Sequence, residues 1–574
     1  MMKKFNLKSP NYNNLKIKKM KSRISQSFLV LLFIVASCNS PKLLDDVEPQ
    51  HKVIINDSDL SERIKKDNLG VIGIKEAPKE DTGGVNGKGS SNSSTDVASN
   101  MPLVLIAEVS APVYAGTTLR ATHVAINGDY AYVSYNVEGS TYLGAVDVIN
   151  ISDPITPVIE LQAILPDTDV SAINYYNNAL YIAGATNSDD IDEANPAVLI
   201  KLELQNGIPT DKVDLIDMAS YVATDVIANS SGIYGVSGDN GVLAKYDHTS
   251  KDLLKSIKIN DLRALGEHNN KIVALSGTEG ISVYDANNLN ELKKFTTSQD
   301  IAESKRTIDF YDDNILVSEG KKGLKLYNIN TGINPATINL PVITDVDIDQ
   351  NEVVTNAITV TNDHIFMANG AAGIAVHDLK DGITKITKTG TLDIDGSSNY
   401  IKSANGYIFV ASGNGGFKII KIVEEDSNSS GTGITCTDLP TYTGGSWLNV
   451  NSNDSQSYSG SASLKGVNVN ADLTFCGSLA VQNGLNINSG GNFYMSGSLV
   501  QGSVHNKWNS FNINNNATLY VEGSLVIYGN MILNNGASIE FLGAGSTVTI
   551  YGDVIKNGNV TITGTYTDSF NKLK

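Results

Sequence analysis

From residue 103 to 423 the chain alternates short apolar runs with Gly, Asn and Asp, and the pattern repeats. One half of the repeat is an apolar strand, a turn, and a second strand ending in a small residue. It reads HVAINGDYAYVS (123–134), SAINYYNNALYIAG (171–184), TDVIANSSGIYGVSG (224–238) and LRALGEHNNKIVALSG (262–277). It continues as RTIDFYDDNILVSEG (306–320), NAITVTNDHIFMANG (356–370) and NYIKSANGYIFVASG (399–413). The other half is Gly, a strand and an acidic or amide turn, as in GVLAKYD (241–247), GISVYD (280–285), GLKLYN (323–328) and GIAVHD (373–378). Alternating strands with Gly/Asn/Asp turns are hairpin chemistry. The terminal small positions recur every 39 to 54 residues, and a unit of about 45 residues with four short strands is a β-propeller blade. Seven units are present. The last is one strand short, and an orphan strand, LVLIAEV (103–109), precedes the first. Pairing the two closes the ring, which would otherwise leave two unpaired edges.

A second pattern begins beyond residue 435: LTFCGSLAVQNGLNINSGG (473–491), NFYMSGSLVQGS (492–503), TLYVEGSLVIYGNMILNNGA (518–537) and STVTIYGDVIKNGNVTITG (546–564). Aligning glycines 477, 497, 523 and 552 gives steps of 20, 26 and 29 residues. Short strands with Asn/Gly corners at that spacing predict a parallel β-solenoid, with apolar residues stacked inside and Asn side chains laddered at the turns. A β-sandwich is the alternative for this domain. The expected fold class is all-β: a seven-bladed propeller (101–425), a linker (426–435) and a solenoid-like domain (436–574).

The first propeller unit also carries LGAVDVINISDPITPVIE (143–160). Its Gly, apolar strand, Asp147, the turn Ser152-Asp153-Pro154, and Pro157 resemble the LVIVD-repeat propellers. The resemblance spans the propeller region and implies a fold and an extracytoplasmic location, not an activity.

The N-terminus reads as an address. Residues 1–37 hold eight Lys or Arg and no acid, and an apolar run, FLVLLFIV (28–35), follows the basic stretch. That run is too short to span a bilayer as a helix. Val35-Ala36-Ser37-Cys38 resembles the bacterial lipobox, whose Cys is acylated, as with palmitate, and becomes the new N-terminus. Residues 1–37 are thus expected to be a lipoprotein signal peptide, with Met20 an alternative start that gives ordinary proportions. Asp45, Asp46 and Glu48 resemble the export signals of Bacteroidota surface lipoproteins. Residues 38–100 are expected to be a lipidated tether, with one short helix within 57–67 capped by Asp57 or Ser58. The Gly/Ser/Asn-rich 79–100 would hold the globular part about 25 Å off the membrane.

Composition narrows the function classes. Net charge is −18 with 43 basic and 61 acidic residues, which argues against nucleic acid as the partner because phosphate binding needs clustered Lys and Arg. Cys436 and Cys476 form an even pair in an oxidising compartment, so they are the disulfide candidate. The seven His are scattered, without HExxH, and His123 and His377 sit in blade motifs as packing or turn residues. Asp345, Asp347 and Asp349 make a weak calcium candidate, lacking the Gly at the sixth position and the terminal Glu; no other cofactor is expected. No carboxylate pair stands out as a glycosidase site. Tyr outnumbers Trp, 24 to 2, so any sugar-stacking platform would have to be Tyr. The sequence therefore predicts an outer-membrane lipoprotein whose propeller is a non-enzymatic module binding an envelope protein. An adhesin for extracellular polysaccharide acting through the C-terminal domain is the alternative, and a carbohydrate-active enzyme the third reading.

Overall fold

The computed structural model describes residues 52–55, 57–75, 98–139, 141–187, 194–298, 304–341, 348–361, 363–392, 394–424, 433–506 and 508–574. Propeller and solenoid both fall in one compact unit, residues 48–574.

Seven antiparallel sheets form the propeller. Their inner strands, in blade order, are Arg120–Asn127, Thr168–Tyr176, Ala223–Asn229, Leu262–His268, Ile308–Tyr311, Ala357–Val360 and Tyr400–Ala404. These line the axis side by side, the seventh lying against the first. Leu103–Val109 pairs antiparallel with Phe417–Ile422 and supplies the missing outer strand of blade 7, from Phe417↔Val109 to Ile422↔Leu103. The ring is closed by the orphan strand, as its sequence predicts.

The recurring motif residues have local structural reasons. Gly280, Gly323 and Gly416 open the third strands of blades 4, 5 and 7 at φ +86°, +77° and +73°. A Cβ there would lie 2.1–2.4 Å from a carbonyl of the adjacent outer strand, so only Gly fits. The Asp or Asn closing that strand makes an Asx turn. Asp247 Oδ1 accepts from the N–H of Thr249 and Ser250 (2.8 Å each), and Asn328 Oδ1 from Asn330 and Thr331. The small residue ending the second strand ties it to the inter-blade loop, as Ser318 Oγ donates to Asn356 O and Ser412 Oγ to Asp395 O.

Residues assigned by sequence to a tether are instead partly woven into the propeller. Lys52–Ile55 adds a fifth strand to blade 1, Ile64–Lys65 and Gly70–Val71 flank Leu103–Val109 in blade 7, and Ile74–Lys75 extends blade 6. This strap covers the outer edges of three successive blades, where unpaired backbone would otherwise lie open. The short helix is one turn, Ser58–Ser61, with Asp57 accepting from Asp59 N at 3.0 Å. Ala98 N donates to Gly444 O. The stretch 76–97 thus joins two points fixed on the protein, and the expectation that it spaces the propeller from a membrane is revised.

The C-terminal domain is a parallel β-solenoid of two sheets, one starting at Trp447–Val450 and the other at Ser455–Leu464. Leu473, Phe493, Leu519 and Ile539 stack in one interior row and Phe475, Met495, Val521 and Phe541 in another, all buried. Asn470, Asn488, Asn514, Asn534 and Asn557 form a corner ladder, each Nδ2 donating to the Oδ1 of the coil before, from 488 onward at 2.9–3.2 Å. Gly460, Gly477, Gly497 and Gly523 share one register. Gly552 does not belong to that row; it stacks on Gly529, whose carbonyl its Cβ would meet at 2.1 Å. The 26-residue step reflects a loop at Gly502–Asn509 that reaches the strap. Val71 N donates to Gly502 O (3.0 Å) and Val504 N to Leu69 O (2.8 Å). Ala480, Val500 and Tyr528 join the propeller's core cluster with Val71, Ile72 and Leu105, so the two domains share apolar interior.

Candidate functional site

A propeller's axis is where its seven inner strands present an unpaired edge, and the structure answers that edge with side chains. In five blades an inner-strand side chain accepts from a backbone N–H of the next blade. His123 Nδ1 faces Ile173 N (3.5 Å), Asn174 Oδ1 takes Ala228 N (3.2 Å), and Asp225 Oδ2 takes Leu265 N (2.8 Å). Asp309 Oδ2 takes Val360 N (3.2 Å) and Thr359 Oγ1 takes Ser403 N (3.0 Å). The remaining carboxylate oxygens also hold backbone donors: Asp225 Oδ1 that of Val226 (2.8 Å) and Asp309 Oδ1 that of Phe310 (2.9 Å).

Lys305, from the connection between blades 4 and 5, crosses to the opposite side of the axis. Its Nζ donates to Thr122 O (2.7 Å) and Ser171 O (2.9 Å), carbonyls of blades 1 and 2, and sits 5.5 Å from the Tyr400 ring centroid. Thr122 and Ser171 are the bulged residues of their strands, and a bulge leaves its carbonyl outside the ladder. The His123 ring stacks on Tyr400, centroids 3.7 Å apart. Burial pushes the Lys305 ammonium down to about 8 against the attraction of Asp225. Burial also pushes the Asp225 carboxyl up to about 6, opposed by its backbone donors and Lys305. Burial first, then Lys305 and Lys402, holds His123 well below its usual range. The axis is therefore a ring of structural caps, whose carboxylate oxygens are committed to backbone.

The sequence-singled residues fall as follows. Cys436 and Cys476 are bonded, S–S 2.03 Å, pinning the segment before the first coil to the second coil. Cys38, Asp345 and Asp347 lie outside the described residues. Asp349 is exposed and accepts from Asn351 N (2.8 Å) in a turn; among the described residues no group of three or more His, Cys, Asp or Glu is placed to hold a metal. Asp147 of the LVIVD-like stretch is fully buried and paired with Arg63 of the strap. Asp153 caps its own turn through Ile155 N and Thr156 Oγ1. His377 is buried, and burial drives it down to about 4. Sequence reasoning missed Asp225, Lys305 and Tyr400; the available signal was an Asp within an inner strand, at 225 and 309, and nothing marked Lys305, which lies in a connection.

No family model matches the chain, and no curated protein does. Among solved structures it is similar to the computationally designed Ika8 protein, at 12% identity over 55% of this chain and 98% of that one, with a TM-score of 0.34.

Proposed function

We propose that this protein is a surface lipoprotein of Bacteroidota type, anchored in the outer membrane through Cys38 and related to the LVIVD-repeat propellers. Its propeller would act as a non-enzymatic module that binds an envelope protein. The observation that carries this reading is the state of the axial carboxylates. Asp225 and Asp309 each spend both oxygens on backbone N–H groups, whereas a general acid or base needs a carboxyl oxygen free to exchange a proton with substrate.

The test is crosslinking on intact cells followed by purification of the full-length protein, with Cys38→Ala as control. One stoichiometric envelope protein, lost in the control, supports the reading; no protein partner overturns it. The polysaccharide reading has one observation of its own. Tyr494 and Tyr520 stack at 4.4 Å on the outward face of the long solenoid sheet, although each ring already covers one face of the other.

A further inference from the structure

A cleft lies elsewhere, at the seam of blades 2 and 3. It measures about 530 Å³, within the roughly 300–1,000 Å³ of small-ligand sites. By topology it opens on the propeller face that carries the hairpin turns, at Asn177-Asn178 of blade 2 and Ser230 and His248-Thr249 of blade 3.

Its chemistry is distinctive. Tyr176 and His248 stack across the seam, centroids 5.7 Å apart at 23°, and Tyr181 meets the same imidazole edge-on at 6.4 Å. The imidazole is held on both nitrogens: Nε2 lies 2.5 Å from Asn229 O and Nδ1 3.5 Å from the Tyr181 hydroxyl. The platform is therefore set before any ligand arrives. Strand register places Lys201 directly opposite Tyr181 and Glu203 opposite Ala179. Glu203 is paired with Lys212 at 2.9 Å, while Lys201 makes no ion pair among those described. Small residues at Ala179 and Ser230 leave the space open. At the neighbouring seam Tyr132 and Tyr175 stack at 2° and Tyr132 donates to Gly207 O, taking up the equivalent room.

We infer that this cleft is a saccharide-binding site. Aromatic faces match the apolar C–H face of a pyranose, and hydroxyls need a mix of donors and acceptors, here supplied by amides, a hydroxyl, an ammonium and a carboxylate. The ligand is an uncharged or weakly anionic oligosaccharide, bound on the propeller rather than on the solenoid. The inference does not rest on the protein-partner reading above, because the cleft is off the axis and leaves the opposite face free.

The test is saturation-transfer NMR on the full-length protein in a detergent without a sugar headgroup. The probes are short oligosaccharides of glucose, galactose, mannose and N-acetylglucosamine. At least one is expected to bind in the micromolar to millimolar range. Tyr176→Ala and His248→Ala each weaken it about tenfold or more, the scale of one lost stacking contact. Tyr176→Phe, which keeps the ring, stays within about twofold, and Lys201→Gln, which breaks no described contact, weakens binding about threefold. A Tyr494→Ala/Tyr520→Ala protein binds as wild type. Failure of every probe at millimolar concentration overturns the inference. So does binding that survives Tyr176→Ala and Lys201→Gln in folded protein, or that disappears in the solenoid variant.

Discussion

The guanidinium of Arg63 holds the carboxylate of Asp147 through two hydrogen bonds, 3.0 Å from NH1 and 2.6 Å from NH2. Arg63 belongs to the strap and Asp147 to the third strand of blade 1. The same guanidinium donates twice to Ser110 O, at the end of the strand that completes blade 7. One side chain thus clamps blade 1, blade 7 and the strap where the ring closes.

Removing one partner of a buried pair leaves the other charge uncompensated, which typically costs about 3–5 kcal/mol. Arg63→Met is therefore expected to destabilise the protein by that amount in denaturant unfolding, because Asp147 is fully buried. Arg63→Met combined with Asp147→Leu should recover much of the loss. A single variant costing under about 1 kcal/mol, the scale of an exposed pair, would show that the clamp does not hold the ring.

The axial carboxyl gives a pH prediction with a definite sign. Burial raises the Asp225 carboxyl from 3.8 to about 6, so folding favours its protonated form. That contribution is complete below about pH 4 and is lost as pH rises through about 6. Asp225→Asn cannot ionise. Its melting temperature relative to wild type should climb between pH 4 and 7 and then level off. Parallel curves for the two proteins would contradict the placement of Asp225.

Lys305 should be structural. Lys305→Met keeps the aliphatic stem and strips the ammonium from the carbonyls of Thr122 and Ser171, at a cost of about 1–3 kcal/mol. Partner capture should be unchanged in this variant, because the ammonium is committed to carbonyls inside the axis. Loss of capture with stability intact would move the binding site into the channel.

The disulfide closes a 40-residue separation, for which chain entropy gives about 4 kcal/mol. Replacing both Cys436 and Cys476 with Ser should expose the start of the solenoid to protease while the propeller's strands remain protected in hydrogen exchange. Uniform loss of protection in both domains would mean that the solenoid's first coils support the propeller.

Legibility followed periodicity. The seven units, the closure by Leu103–Val109 and the Asn corner ladder all rest on repeated local chemistry, so each copy reinforced the others. The strap was hidden for the opposite reason. Ile64–Lys65, Gly70–Val71 and Ile74–Lys75 are two-residue strands whose identity comes from distant edges at 104–109 and 391–392. Gly552 misaligned because the coil containing Leu542–Ser546 splits its long strand in two, shifting the register that fixed spacing assumes. Asp225 and Lys305 were invisible as a group because their meeting depends on seven strands converging on one axis, and Tyr176 and His248, 72 residues apart, meet only across a blade seam.

The central claim, that a propeller face engages an envelope protein at the cell surface, is tested most directly by site-specific photocrosslinking on intact cells. Tyr221 and Ile333 are 64% and 66% exposed. They stand in loops at opposite ends of the blades, one linking blade 2 to blade 3 and the other turning within blade 5. Trp508, 94% exposed, reports for the solenoid. A crosslinker should capture one envelope protein from Tyr221 or from Ile333 but not from both, and nothing from Trp508. Capture from Trp508 alone, or from none of the three, would contradict the account.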